Sequence, residues 1–181
     1  VNIEEAGVVA MELGYPVGSY YNPEELELGY NSCEIEEYSQ MGYWYTYTAT
    51  EDCVFVLSML SDNWFYSPVI RHADGTGSYP SGHYSEEDIA VSVMVLELKA
   101  GDVLILQFGT SDYAAATVEF NATTYAVGAP IDIEFLWDEE YTAAAINVDM
   151  PAGEFTFNMW SGAGMELTVN GVVTEMTGDA W

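Results

Sequence analysis

An all-β fold is predicted, and three observations predict it. Short runs of alternating apolar and polar residues follow one another along nearly the whole chain. The runs are rich in Val, Ile, Thr, Tyr and Phe, and Gly, Asp, Asn or Pro separates them. No segment sustains a 3.6-residue apolar period between helix caps. Many short strands at this spacing mean a β-sandwich or barrel rather than a parallel α/β sheet.

The strands follow in order. Alternation is clearest in "YWYTYTAT" from Tyr43, "CVFVLSML" from Cys53 and "VSVMVLEL" from Val91. It continues in "DVLILQFG", "TVEFNATT", "IDIEFLW", "AAAINVDM", "EFTFNMW" and "MELTVNG". Within the first run, Tyr43, Tyr45 and Tyr47 share one face, which is either a core face or an inter-subunit contact. Trp44 alternates with them and is expected in the core. Small or acidic turns at Glu51-Asp52, Ala100-Gly101-Asp102 and Ala152-Gly153-Glu154 each join two such runs.

Two internal echoes organise the chain. "GYPVGSYYNP" near the start returns as "TYAVGAPIDI", Tyr15, Val17 and Gly18 matching Tyr125, Val127 and Gly128. "TATEDCVFVLSMLS" likewise returns as "VDMPAGEFTFNMWS", Phe55, Met59 and Ser61 matching Phe155, Met159 and Ser161. A period of this length is one whole sandwich domain, not a solenoid unit. The expected layout is a complete module at 19–124 between linkers at 14–18 and 125–130. Residues 131–181 then form a partial module, and residues 1–13 carry the closing strand of a module. On this reading Val8, Val9, Met11 and Leu13 line a donor strand that completes the open edge of a 131–181 segment. Completion from a neighbouring copy, head to tail, would build a fibre, and completion within one polypeptide a tandem array. Two plainer alternatives stand beside these. Residues 1–13 could fold back on their own chain, or 131–181 could be a small complete domain.

Charge excludes several functions. Thirty Asp and Glu face only Lys99 and Arg71, a formal net charge of −28. Nucleic-acid binding needs basic patches that cannot be built here. Anionic membrane surfaces would repel the chain, and it has no long apolar stretch for membrane insertion. Dense negative charge suits a solvated, self-repelling extracellular or cell-surface protein. The two cysteines, Cys33 and Cys53, suggest a disulfide rather than a metal site, with two buried free thiols as the alternative.

One stretch is familiar. The matching phrases are the opening Asn22-Pro23-Glu24-Glu25-Leu26 and the strand ending Thr48-Ala49-Thr50-Glu51-Asp52. With them go the Asn63-Trp64 turn, Ala100-Gly101-Asp102 and the Tyr-Pro-Val-Gly linker. Together these resemble tandem β-sandwich modules in surface proteins of anaerobic gut Firmicutes, the group that includes ruminococcal starch-adherence proteins. The resemblance spans residues 14–125 well and 126–181 loosely. It implies immunoglobulin-like β-sandwich modules used as spacers, some of them binding glycans; with the repeat layout above, the expected fold is two such modules, the second completed by an N-terminal strand. Cys33 and Cys53 stand where it implies small or turn residues.

Signatures of chemistry are sparse. Gly-x-Ser-x-Gly, a Walker loop and His-Glu-x-x-His are all missing, and no catalytic residue is predicted. Among thirty acids a carboxylate pair carries no information. Lys99 is the only lysine and thus the only donor for a side-chain amide cross-link. No metal ligand set is predicted; calcium has two conceivable seats, at Asp74-Gly75-Thr76-Gly77 and Asp138-Glu139-Glu140. Asn121-Ala122-Thr123 is a glycosylation sequon. The serious alternative to a structural role is polysaccharide binding. Sugar rings stack their C–H faces on aromatic rings while polar neighbours fix orientation. Trp64, Tyr66, Tyr79, His83 and Tyr84 are the candidates, with Arg71, Asp62 and Asn63 as polar partners. Trp160 holds the matching place after the repeat. In the plainer account both tryptophans plug sandwich ends and the tyrosines coat the surface.

Overall fold

A computed structural model describes residues 14–37, 42–60, 63–65, 68–80, 91–110, 114–131, 144–149, 165–169 and 172–176. The chain is all-β: the described residues form strands and connecting loops, with no helix among them. Two compact units divide it, residues 1–150 and 151–181.

The first unit contains two sheets. One is built from β1 (Glu24–Glu25), β3 (Tyr43–Thr48), β9 (Val103–Thr110), β6 (Val69–Arg71) and β7 (Gly77–Ser78), in that order, with β5 (Asn63–Phe65) also on β9. The other runs β11 (Ala144–Asp149), β8 (Val91–Leu98), β4 (Cys53–Leu60), β10 (Ala116–Ala126) and β2 (Gly29–Ile35). Antiparallel pairing dominates, but β1 runs parallel to β3 and β11 parallel to β8. β11 falls in the segment read from sequence as a separate partial module, yet it extends the sheet of the first unit.

Alternation explains the packing. In β2, Cys33 and Ile35 point inward while Ser32 and Glu34 point out; in β10, Val118, Phe120 and Ala122 are buried while Glu119 is exposed. Facing them across the interior are Tyr45, Leu104, Leu106, Phe108 and Ile70 of the other sheet. Phe108 and Phe120 stack across the gap, ring centroids 4.5 Å apart, and Tyr45 meets both edge-on. Such pairs contribute about 1 kcal/mol each beyond the area they bury.

β4 departs from simple alternation because it is buried on both faces. Phe55, Leu57 and Met59 join the interior, whereas Val54 and Val56 lie on the outer face with Val93 and Val95 of β8. Tyr125 and Ile131 pack over these valines. The turn Ala126–Ala129, with Gly128 at φ 80°, therefore sends the chain onto the outer face of the sheet.

Two sequence expectations are corrected here. The tyrosine face of β3 is the core face, with Tyr45 buried and Tyr43 and Tyr47 packed against the interior; Trp44 points the other way. Alternation fixed that the two sets oppose one another but not which set faces in. Cys33 and Cys53 are both free, buried thiols, not a disulfide. Cys33 faces Val118 and Cys53 faces Ala126, on opposite sides of β10. Those rungs lie roughly 26 Å apart along the strand, against about 7 Å as the widest Cα separation a disulfide spans.

In the second unit, β12 (Met165–Val169) and β13 (Val172–Met176) form an antiparallel pair. Met165 faces Met176, and Val169 faces Val172. The expected donor residues Val8, Val9, Met11 and Leu13 lie outside the described residues.

Candidate functional site

Residues Tyr15–Asn22, read above as the end of the 14–18 linker and the start of the 19–124 module, fold into a tight loop laid on β3. Ser19 N–H donates to the Pro16 carbonyl (3.1 Å), Asn22 N–H to the Ser19 carbonyl (3.1 Å) and Gly18 N–H to the Asn22 carbonyl (2.9 Å). The Asn22 side-chain amide closes the loop by donating to the Tyr15 carbonyl at 2.9 Å. Trp44 N–H donates to the Gly18 carbonyl at 2.8 Å and fixes the loop to the sheet. Gly18 is required: its φ is 82°, and a Cβ there would stand 2.2 Å from the Tyr43 ring.

This loop arranges four aromatic rings in a row on the surface. Tyr15 lies 4.6 Å from Tyr21, Tyr21 lies 5.0 Å from Tyr20, and Tyr20 lies 5.0 Å from Trp44. Tyr15, Tyr20 and Tyr21 are 50%, 49% and 68% exposed, and Trp44 is half-buried beneath them. Val17, also exposed, belongs to the same loop. Ser19 Oγ is buried in the loop and lacks a hydrogen-bond partner. Below the loop, the Tyr43 hydroxyl donates to Glu24 at 2.5 Å. Burial, and then that carboxylate, push the Tyr43 phenol up to about 12.

A second constellation sits at the far end of β9. His72 Nδ1 lies 3.1 Å from Asp102 Oδ1, and His72 Nε2 lies 3.0 Å from Ser78 Oγ. The Asp102 side chain is 3% exposed and that of His72 33%. Lys99 N–H donates to Asp102 Oδ2 at 2.9 Å, so the buried carboxylate also closes the β8–β9 turn.

Of the sequence-predicted glycan residues, Trp64 and Tyr79 lie among the described residues. Trp64 lies within β5, paired with Gly109, rather than in a turn. Tyr79 is 76% exposed and follows β7. Ser78 pairs with Ile70, which faces Leu104, so Tyr79 stands about four rungs from Trp64, roughly 13 Å along the sheet. Tyr66, His83, Tyr84 and Trp160 lie outside the described residues. Among the described residues no group of three or more His, Cys, Asp or Glu gathers as a metal site. Asp74 accepts instead from Thr76 N–H at 2.8 Å and from the Thr76 hydroxyl at 2.6 Å.

No family model, curated protein or solved structure matches this chain. Among the described residues no helix is long and apolar enough to cross a membrane. The site must therefore be read from its own chemistry. The aromatic row was missed in the sequence because the 14–18 linker boundary separated Tyr15 from Tyr20 and Tyr21. Three tyrosines in seven residues, next to Gly and Pro, were the available signal.

Proposed function

We propose that this chain is an extracellular glycan-binding module of immunoglobulin-like β-sandwich type, and that the Tyr15–Tyr21–Tyr20–Trp44 row is its sugar platform. The carrying observation is a contiguous cluster of three exposed tyrosine rings and the half-buried Trp44, held by a hydrogen-bonded loop, with successive rings inclined by 32°, 81° and 76°. Exposed aromatic surface is costly to leave in water without a use, and contiguous apolar patches mark binding faces. Tyrosine supplies a stacking face at small entropic cost and a hydroxyl for the rim of a sugar. A net charge of −28 disfavours polyanions, so the fitting ligand is a neutral polysaccharide, starch or a plant glucan. The resemblance of residues 14–125 to surface modules of gut bacteria points the same way.

Calorimetric titration with soluble starch and with neutral plant polysaccharides tests this. Heat should be released with one of them. Each of Tyr21→Ala and Trp44→Ala should weaken binding about fivefold, the equivalent of roughly 1 kcal/mol per lost ring. Binding that ignores both substitutions sinks the proposal. Binding lost on Trp64→Ala instead moves the site to the region around β5.

A second reading, structural assembly by head-to-tail strand complementation, is favoured by the β12–β13 pair. Among the described residues β12 and β13 pair only with each other, and a two-stranded sheet is marginal in water by itself. Val8, Val9, Met11 and Leu13 would supply a further strand from another copy. Deleting residues 1–13 should then reduce assembly in light scattering; unchanged mass would remove this reading.

A further inference from the structure

The strand register explains why Ser78, His72 and Asp102 meet. Ile70 faces Leu104 and Arg71 faces Val103, so the next rung sets His72 beside Asp102. On the other side of β6, Ile70 faces Ser78, which puts Ser78 diagonally across from His72. Three neighbouring strands thus bring an acid, a base and a hydroxyl into one row. Asp102 is held firmly: its N–H donates to the Lys99 carbonyl, its carbonyl accepts from Ala49 N–H, and Oδ2 accepts from Lys99 N–H. A carboxylate only accepts, so His72 carries its proton on Nδ1. That leaves the Nε2 lone pair to accept the Ser78 hydroxyl proton, the polarity a serine nucleophile requires.

We propose that Ser78, His72 and Asp102 form an acyl-transfer site that cleaves small, uncharged carboxylic esters such as O-acetyl groups. Ser78 Oγ attacks the carbonyl carbon while its proton passes to His72 Nε2. The bond from that carbon to the alcohol oxygen then breaks, and the alcohol leaves with the Nε2 proton. Solvent water attacks the acyl-serine, gives a proton to Nε2, and the carboxylic acid departs as Ser78 recovers that proton. Nothing is oxidised or reduced. Ser78 and His72 are the catalytic residues, and Asp102 is a positioning residue. Among the described residues the hairpin side of the row is lightly covered. Gly77 precedes the nucleophile without a side chain, a Cβ on Gly75 would meet nothing within 4 Å, and the His72 ring is one-third exposed. The inference stands apart from the glycan reading and uses none of its residues.

The test is labelling of the full chain with p-nitrophenyl acetate and, separately, a fluorophosphonate, followed by peptide mass mapping. One adduct on Ser78 is expected. Ser78→Ala should remove it, and His72→Asn should slow it by about 10²-fold or more. Asp102→Asn should shift the acidic limb of the acylation pH profile, which a merely structural tie would not move. Melting curves verify folding, and if His72→Asn unfolds, Ser78→Ala alone decides, since it removes one hydroxyl from a two-residue strand. An unlabelled wild-type chain, or equal labelling of Ser78→Ala, overturns the proposal and leaves the row as an architectural tie.

Discussion

At the scale of residues, burial controls the chemistry of the interior. It pushes the Cys33 thiol up to about 12, and it also raises Cys53 and Tyr45. In the fold these groups are held neutral, with pKa values above those of the unfolded chain, about 8.5 for Cys and 10 for Tyr. The stability they contribute is fully present below those unfolded values and is lost as pH rises through the folded ones. Alkaline unfolding should therefore begin above about pH 9 and be complete near pH 12, with phenolate absorbance of the β3 tyrosines appearing as near-ultraviolet dichroism disappears. Ionisation of those tyrosines well before unfolding would contradict their burial. Thiol titration should find no reactive cysteine in the native chain and both in denaturant; a disulfide would show none in either. Much of this was hidden in the sequence. Two cysteines in an acidic chain suggested a bridge, but only the rungs on β10 reveal how far apart they lie. Trp44 misled for a related reason: it is the most apolar ring of its run, yet Tyr45 is the residue buried.

At the scale of elements, β3, β4, β8, β9 and β10 were legible as runs of β-forming residues, whereas β5, β6 and β7 are short and lie in a Gly-, Pro- and Asp-rich stretch that reads as loop. β4 was legible as a strand, but its burial on both faces was not, since the covering residues Tyr125 and Ile131 come from distant sequence. The Tyr15–Asn22 loop was misread because glycine and proline signal a break in regular structure without saying whether the loop is docked. Docking depends on Gly18. Gly18→Ala would place a methyl against the Tyr43 ring and force a left-handed φ on alanine, costing on the order of 1–2 kcal/mol. The expected outcome is a lower urea midpoint and at least a fivefold loss of glycan affinity, because the ring row moves with the loop. Unchanged affinity would show that the loop geometry does not organise the platform.

At the scale of the molecule, charge dominates. With thirty acids and two strong bases the folded chain repels itself. Raising salt from about 10 mM to 150 mM shortens the screening length from roughly 30 to 8 Å, so the melting temperature should rise in calorimetry. A fall would show that attractive ion pairs outweigh the repulsion. Glycan binding through stacking should by contrast vary little with salt. The most direct measurement of the central claim is tyrosine nitration with and without saturating neutral polysaccharide, mapped by peptide mass. Tyr15, Tyr20 and Tyr21 should be protected while Tyr79 stays reactive. Protection of Tyr79 with the other three unprotected would contradict the account.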